Sequence, residues 1–380
     1  MTNKRTKIIL LSALAAASLF FLLERNFLPG KSAESYSSDQ LPFLETIINL
    51  IKNHYVEEPN PSHTMKGAFK GLVDSLDILS SYLDKEEAII YTLQSQERLK
   101  EPGLILYKRY SSFPQVLAVI NNSPADKKGI KSGDLIGAID HNPTLTMSML
   151  EANLKLKNSQ AKSVNLKIIR STETLEVDVE RKLLYEKPFS YTLQKGTSGL
   201  LKIHNFFPPC VSLFRQQIIP RLRQQKKPLI LDLRNCWEGQ LEEAQQFINI
   251  FLQADKIGYI EKKNNIQQDL SCPQQAELAK LPLIIWTNLA TLGPSEMVAA
   301  VLQNKKRAKI LGLATLGLVA QQHYFDLNDG SALILTSGIF HLPSGYKLWT
   351  QGLKPDIKLK KEEKGFQAYF NKTLSYLNRM

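Results

Sequence analysis

Apolar residues change their spacing several times along the chain, and each change marks a different kind of element. The first run, Ile8 to Leu23, is continuous and follows Lys4, Arg5 and Lys7. Basic residues ahead of an apolar stretch form the n-region and h-region of an export signal. The stretch is short for a spanning helix, which needs about 20 residues. Glu24, Arg25 and Asn26 follow it without a small-x-small cleavage pattern. Residues 1–24 are therefore expected to be an uncleaved signal anchor, with a signal peptide cleaved inside the Ala-rich part as the alternative. Residues 25–39 are polar and irregular, as a tether would be. From Leu41 to about Gln94 apolar residues recur at helical spacing, in LPFLETIINLIKNHY and MKGAFKGLVDSLDILSSYL, with breaks at Pro59 and Pro61. This predicts two or three helices, so that 25–98 reads as a tether and helical cap.

Between 99 and 183 the period shortens. Apolar runs at Val116 to Ile120, Leu135 to Ile139 and Val164 to Ile169 alternate with turns, and a helix fits Ser148 to Leu156. From Ser198 onward strand and helix alternate: GLLKIHNFF, then Val211 to Gln225, PLILDLRN, Leu241 to Leu252, LPLIIWTN and the helix after Pro294. Strands that are apolar throughout, separated by helices, predict a mostly parallel sheet buried on both faces. Residues 323–340 return to strands around Asn328-Asp329-Gly330, a hairpin turn. The pattern gives an α/β core over 184–365 and a closing helix over 366–380.

Composition narrows the function classes. The 380 residues are 43% hydrophobic and 22% charged, which is ordinary for a globular protein of two or three domains. The net charge of +12 is spread over Arg221 to Lys227, Asn304 to Lys309 and Lys358 to Lys364 among other places. A nucleic-acid surface would gather it on one face with a recognisable motif, so that class is set aside. Attraction to anionic lipid fits better, since the chain begins beside a membrane. Cys210, Cys236 and Cys272 are an odd number without a short-range pair, which supports neither a disulfide scaffold nor a zinc site and leaves one long-range bridge open. No cofactor is implied.

The centre of the 99–183 segment is NNSPADKKGIKSGDLIGAID. Ser123-Pro124-Ala125 opens a short helix, Gly129 closes it, and Ser132-Gly133-Asp134 turns the chain into a strand. This resembles a PDZ domain. Such a domain is expected to add a carboxyl-terminal peptide to its sheet edge, with the backbone of Gly103, Leu104 and Ile105 near the carboxylate.

Further stretches fall in order: YVEEP near Tyr55, LDILSSYL, LILDLRN from Leu229, DGSALILTSGIFHLPSG from Asp329, and QGLKPDI from Gln351. With the PDZ segment they resemble the carboxyl-terminal processing peptidases, the S41 family of exported serine peptidases. The resemblance implies a ClpP/crotonase-like S41 core with an inserted PDZ domain and an N-terminal helical cap. It also implies a Ser-Lys dyad and backbone N–H donors that hold an oxyanion.

At the dyad this chain departs from the family. The family nucleophile sits in Ser-Ala-Ser-Glu, where this chain has Gly293-Pro294-Ser295-Glu296, so Gly293 takes the nucleophile position. The family lysine lies in Thr-Phe-Gly-Lys-Gly, where this chain reads Thr315-Leu316-Gly317-Leu318-Val319, so Leu318 takes the base position. Pro294 follows the nucleophile position and has no N–H to donate. The turn Asn235-Cys236-Trp237-Glu238-Gly239 puts the Glu238 carboxylate where the other oxyanion donor belongs. Gln322 alone matches the residue that supports the dyad.

Other polar residues are candidates to substitute for the dyad. Ser295 lies two positions along the helix from Gly293, about 200° around the axis, so its hydroxyl should face away, beside Pro294 and Glu296 in a polar first turn. Cys236 with His204 or His323 is a second candidate nucleophile. A zinc site built from His54, His204, His323 or His341 lacks ligand spacing. Leu318 keeps the packing of a lysine stem without its charge. The reading that results is an exported pseudopeptidase, anchored on the periplasmic side of the inner membrane, that binds protein C-termini or unfolded exported proteins. Self-association or pairing with an active relative would use the same surfaces. The alternative is an active serine-type endopeptidase with displaced catalytic residues.

Overall fold

A computed structural model of the chain describes residues 40–93, 99–109, 111–157, 161–194, 198–225, 227–360, 363 and 365–378. The signal anchor and the tether expected up to residue 39 lie outside these residues. Among the described residues no helix is long and apolar enough to cross a membrane.

The chain divides into two compact units, up to Thr64 and from Met65 on. The first contains helix α1 (Gln40–His54), on which Phe43, Leu44, Ile47, Ile48 and Ile51 recur at helical spacing and are exposed. Helix α2 (Pro61–Asp74) begins in this unit and ends in the second.

The helical reading of MKGAFKGLVDSLDILSSYL holds only to Asp74. Residues 81–83 form strand β1 (Ser81–Leu83) instead, and helix α3 (Lys85–Leu93) follows. The reason is non-local: β1 is fully buried and pairs antiparallel with a strand far along the chain, Ser81 against Ile334 and Leu83 against Ala332.

The next segment folds as predicted around one antiparallel sheet. Its elements are β2 (Leu104–Tyr107), β3 (Gln115–Val119), α4 (Pro124–Lys127), β4 (Leu135–Ile139), β5 (Asn142–Pro143), α5 (Met149–Leu156), β6 (Ser163–Arg170) and β7 (Glu173–Glu180). The strand order is β2-β3-β4-β6-β7, with β5 paired to β4. Helix α4 starts where the sequence places it, because the Ser123 side chain accepts the Asp126 N–H and Pro124 occupies the first helical position. Ser148 caps α5 in the same way, accepting the Glu151 N–H at 2.9 Å.

The remaining chain builds two sheets from β8 (Phe189–Gln194), β9 (Ser198–Ile203), α6 (Cys210–Gln217), α7 (Ile219–Gln225), β10 (Leu229–Asp232), α8 (Leu241–Phe251), β11 (Ala254–Lys262), β12 (Gln267–Cys272), β13 (Leu283–Thr287), α9 (Pro294–Asn304), β14 (Lys309–Gly312), β15 (Ala320–Asp326), β16 (Ala332–His341), β17 (Ile357–Lys358) and α10 (Phe366–Leu377). The expected helix over 211–225 is two helices, since Pro220 cannot donate into the ladder of a continuous one. The central sheet runs β17-β14-β13-β10-β9-β8 and is parallel except for β8. Alternate residues of its strands face opposite layers. Leu229, Leu231, Ile285 and Ile310 pack with Phe247 and Phe251 of α8 and Val298 and Val301 of α9. Ile230, Ile284, Trp286 and Leu311 pack under Tyr369 and Phe370 of α10. Burial on both faces is why these strands are apolar throughout. The other sheet runs β1-β16-β11-β12, with β15 also paired to β16.

Candidate functional site

The loops that follow β10 and β13 are stitched to each other. The Thr291 hydroxyl donates to the Leu233 carbonyl at 2.9 Å and the Leu292 N–H to the Cys236 carbonyl at 3.1 Å. Asn288 completes the seam: its Oδ1 accepts the Asn235 N–H at 3.1 Å and its Nδ2 donates to Asn235 Oδ1 at 2.6 Å. Arg234 fixes the base of the first loop through a two-point contact with Asp232, at 2.9 and 2.7 Å, and by stacking over Trp286 and Tyr369. Two loops held this firmly define where Gly293 sits.

Gly293 is the residue before α9, at φ 57° and ψ −120°, a backbone region that only glycine enters freely. There is nonetheless room for a side chain. A β-carbon at this position would come no closer than 3.7 Å to its neighbours, which are the carbonyl oxygens of Leu318 and Trp237. Both are hydrogen-bond acceptors. Pro294 next to it opens α9 at the first helical position and contributes no N–H.

Leu318 is 6% exposed and packs with Met149 of α5 and Leu292 in a cluster that Trp237 and Trp349 border. Gly293, Pro294, Leu318 and Gln322 line one cavity of about 250 Å³, closed in part by Met149 and Trp237. Gln322 reaches across it to donate to the Leu79 carbonyl at 2.8 Å. The structure thus brings four of the expected positions together.

Glu238 departs from expectation. Its carboxylate does not line this cavity but forms an ion pair with Lys157, at the C-terminal end of α5. The Lys157 ammonium is buried, 5.2 Å from the centre of the Trp237 ring, and an interior cation holds a neighbouring carboxylate to it. Burial pushes the Lys157 pKa down, and the nearby Glu101 pulls it back.

Ser295 is sealed. It has no exposed surface, and its hydroxyl is directed at the carbonyls of Cys236 and Leu292. Cys236 is equally buried, which pushes its thiol up to about 12. His204 stacks on Tyr185 with ring centres 3.6 Å apart, and burial drives it down to about 3, while His323 lies exposed on β15. Neither histidine hydrogen-bonds Cys236 among the described residues. His341 pairs with Glu261, and all three cysteines are free. Among the described residues no group of His, Cys, Asp and Glu side chains gathers as a metal site would need.

Glu296 matters more than its sequence position indicated. It is fully buried in the first turn of α9, where its Oε1 accepts the Gly317 N–H at 2.7 Å and its Oε2 the Leu318 N–H at 2.9 Å. The Thr315 hydroxyl also donates to Oε1 and in turn accepts the Leu353 N–H. Burial drives the carboxyl up to about 7, against the pull of the Thr315 hydroxyl and the amides of Leu318, Gly317 and Gly293. A glutamate three residues past the helix cap is the capping-box position, which accounts for a bond to the Gly293 amide but gives no sign of the contacts to Thr315, Gly317 and Leu318.

In the antiparallel sheet, Gly103 stands at φ +90° against the cap of α4, where a β-carbon would lie 2.3 Å from that of Ser123. Leu104 and Ile105 open β2, which forms an edge of the sheet. Leu104, Lys157 and Glu238 all line a second cavity, of about 540 Å³.

Residues 197–359 match the profile of Peptidase family S41, and residues 97–180 match that of the PDZ domain. The chain is 24% identical over 355 residues to the carboxy-terminal processing protease CtpA of Bacillus subtilis (strain 168), covering 92% of this chain and 76% of that protein. It is 24% identical over 356 residues to a probable CtpA-like serine protease of Staphylococcus aureus (strain MRSA252), covering 92% and 71%. The fold superposes on the photosystem II D1 C-terminal processing protease with a TM-score of 0.68 at 20% identity, over 85% of this chain and 94% of that one.

Proposed function

Because the chain belongs to peptidase family S41, as a CtpA-like member with a PDZ domain, we propose that it is a pseudopeptidase that binds protein C-termini without cleaving them. One observation carries this reading. At the positions that match the family dyad, Gly293 and Leu318 offer neither a nucleophile nor a base, and the space a side chain on Gly293 would enter is bordered by the carbonyl oxygens of Leu318 and Trp237. An oxyanion needs N–H donors aimed at it. Pro294 withholds the adjacent N–H. The sealed hydroxyl of Ser295 and the neutral thiol of Cys236 argue against displaced catalytic groups.

What the chain retains is the apparatus for peptides: a sheet edge at β2, the cavity beneath it and the loops that hold both. On this proposal an N-terminal anchor holds it on the exported side of a membrane, and its ligands are the C-termini of exported proteins. Two measurements on the full-length chain test the proposal. A fluorophosphonate probe should label nothing, and a peptide with a free apolar C-terminus should bind with a Kd of about micromolar, near −8 kcal/mol. Labelling that Ser295→Ala abolishes would establish a displaced nucleophile. Binding that C-terminal amidation leaves unchanged would rule out capture of the carboxylate.

A further inference from the structure

The edge of β2 is not empty. A strand alternates its hydrogen-bonding groups between its two sides. Those of Gly103 turn toward β3, since its carbonyl accepts the Ile120 N–H at 2.9 Å. Leu104 and Leu106 therefore present theirs outward, where an added peptide strand would take them up. At Leu106 a side chain of the same chain already does. The Leu106 N–H donates to Asn153 Oδ1 at 3.4 Å, and Asn153 Nδ2 donates to the Leu106 carbonyl at 3.3 Å and to the Met149 carbonyl at 2.8 Å.

Asn153 is 2% exposed in the middle of α5. Asparagine is a poor helix former, and a buried carboxamide is costly unless every donor and acceptor is matched. Here each is matched, and reversing the amide would set its NH₂ against the Leu106 N–H. A carboxamide has one carbonyl and an N–H pair in a plane, the same groups as a peptide unit. One helical turn further on, Lys157 lies at the end of α5 beside Leu104 in the 540 Å³ cavity, with the Glu238 carboxylate on its ammonium.

We infer that Asn153 stands in for a ligand's peptide unit at Leu106, so that this groove reads only the terminal carboxylate and last side chain of a polypeptide. The inference rests on the peptide-binding reading above and restricts it. Leu104 remains available to the terminal residue, and Lys157 is the cation its carboxylate would reach by replacing Glu238. Residues further from the terminus find the strand edge already satisfied.

The test uses the full-length chain and free-carboxylate peptides of two, four and eight residues that share an apolar end. Calorimetry should give the wild type similar affinities for all three. Asn153→Leu, which keeps the number and branching of heavy atoms and removes the amide, should raise the affinity of the eight-residue peptide by about tenfold and leave that of the two-residue peptide unchanged. Asn153→Ala serves if the leucine variant fails to fold. Wild-type affinity that climbs tenfold or more with peptide length, or a variant that binds every length as the wild type does, overturns the inference. Amide exchange without peptide separates the two levels of the argument. The Leu106 N–H should be protected in the wild type and lose protection in the variant, and unchanged exchange rejects the Asn153 contact whatever binds. Binding of no peptide by either protein rejects the peptide reading and the inference with it.

Discussion

Glu296 Oε2 accepts the Leu318 N–H at 2.9 Å, and through that contact the helix that starts after Gly293 holds the loop that carries Leu318. The contact fastens together the two segments that carry Gly293 and Leu318. The fastening is a carboxyl group in a dry interior, so it should respond to pH.

Burial raises the Glu296 carboxyl from its ordinary value of 4.5 to about 7. A group whose folded pKa lies above its unfolded one binds more protons when folded, so stability falls as pH rises between the two values. The contribution is complete below pH 4.5 and lost as pH passes through about 7. Burial also raises Glu151 to about 7 and Asp74 to about 6, which places them in the same window. The informative quantity is therefore a difference. Urea unfolding of the wild type and Glu296→Gln across this range should show a slope in the wild type that the variant reduces by up to about 3 kcal/mol. Parallel curves would mean that Glu296 stays ionised in the fold.

Restoring the dyad alone should not restore peptidase activity. Gly293→Ser has room but must adopt a positive φ, and Leu318→Lys buries an ammonium beside Met149 and Leu292. With Pro294 unchanged one oxyanion donor stays absent, which costs about 100- to 1000-fold in turnover. Turnover of a peptide substrate is expected only once Pro294→Ala joins the pair. Vigorous hydrolysis by the double variant would show that another donor holds the oxyanion.

Lys157→Met should destabilise the chain by about 3–5 kcal/mol, since it strands the Glu238 carboxylate in a cleft that Glu101 shares. Adding Glu238→Gln should recover part of that loss. A double-mutant cycle read by denaturant unfolding checks it, and strictly additive losses would mean that the pair contributes nothing.

The thiols should be inert in the folded protein. Cys236 is held up to about 12 and Cys272 to about 11 by burial, and burial raises Cys210 as well. Ellman's reagent at pH 8 should react with all three only after unfolding. A thiol that reacts within seconds in the native state, and whose reaction Cys236→Ser abolishes, would reopen Cys236 as a nucleophile.

Local chemistry made much of this architecture readable. Ser123 and Pro124 announce α4 in sequence, and the unbroken apolar strands β10 and β13 announce a sheet covered on both faces. The assignment of Gly293 and Leu318 to the dyad positions rests on single residues in ordered motifs, and the structure sets both on one cavity. What stayed hidden depends on partners far along the chain. β1 looks helical until β16 arrives to pair with it, Glu238 looks like an intruder in the oxyanion site until Lys157 draws it away, and Asn153 looks like an ordinary helix residue until the β2 edge is in place. Glu296 stands at the capping-box distance from its helix cap, which signals a bond to the cap and not its reach to Thr315, Gly317 and Leu318.

The pairing of β1 with β16 also decides how this protein can be cut for expression. Thr336, on β16, takes up Ser80 Oγ through its amide and Asp77 Oδ1 through its hydroxyl, just ahead of the three paired residues of β1. A fragment starting at residue 184 would contain every strand of the parallel sheet and still leave the first half of β16 with one side unpaired. An open strand edge of that kind recruits other chains. Such a fragment should form large species in size-exclusion chromatography that the chain begun before Asp77 does not form, so the piece that looks like an independent core is one strand short of being one.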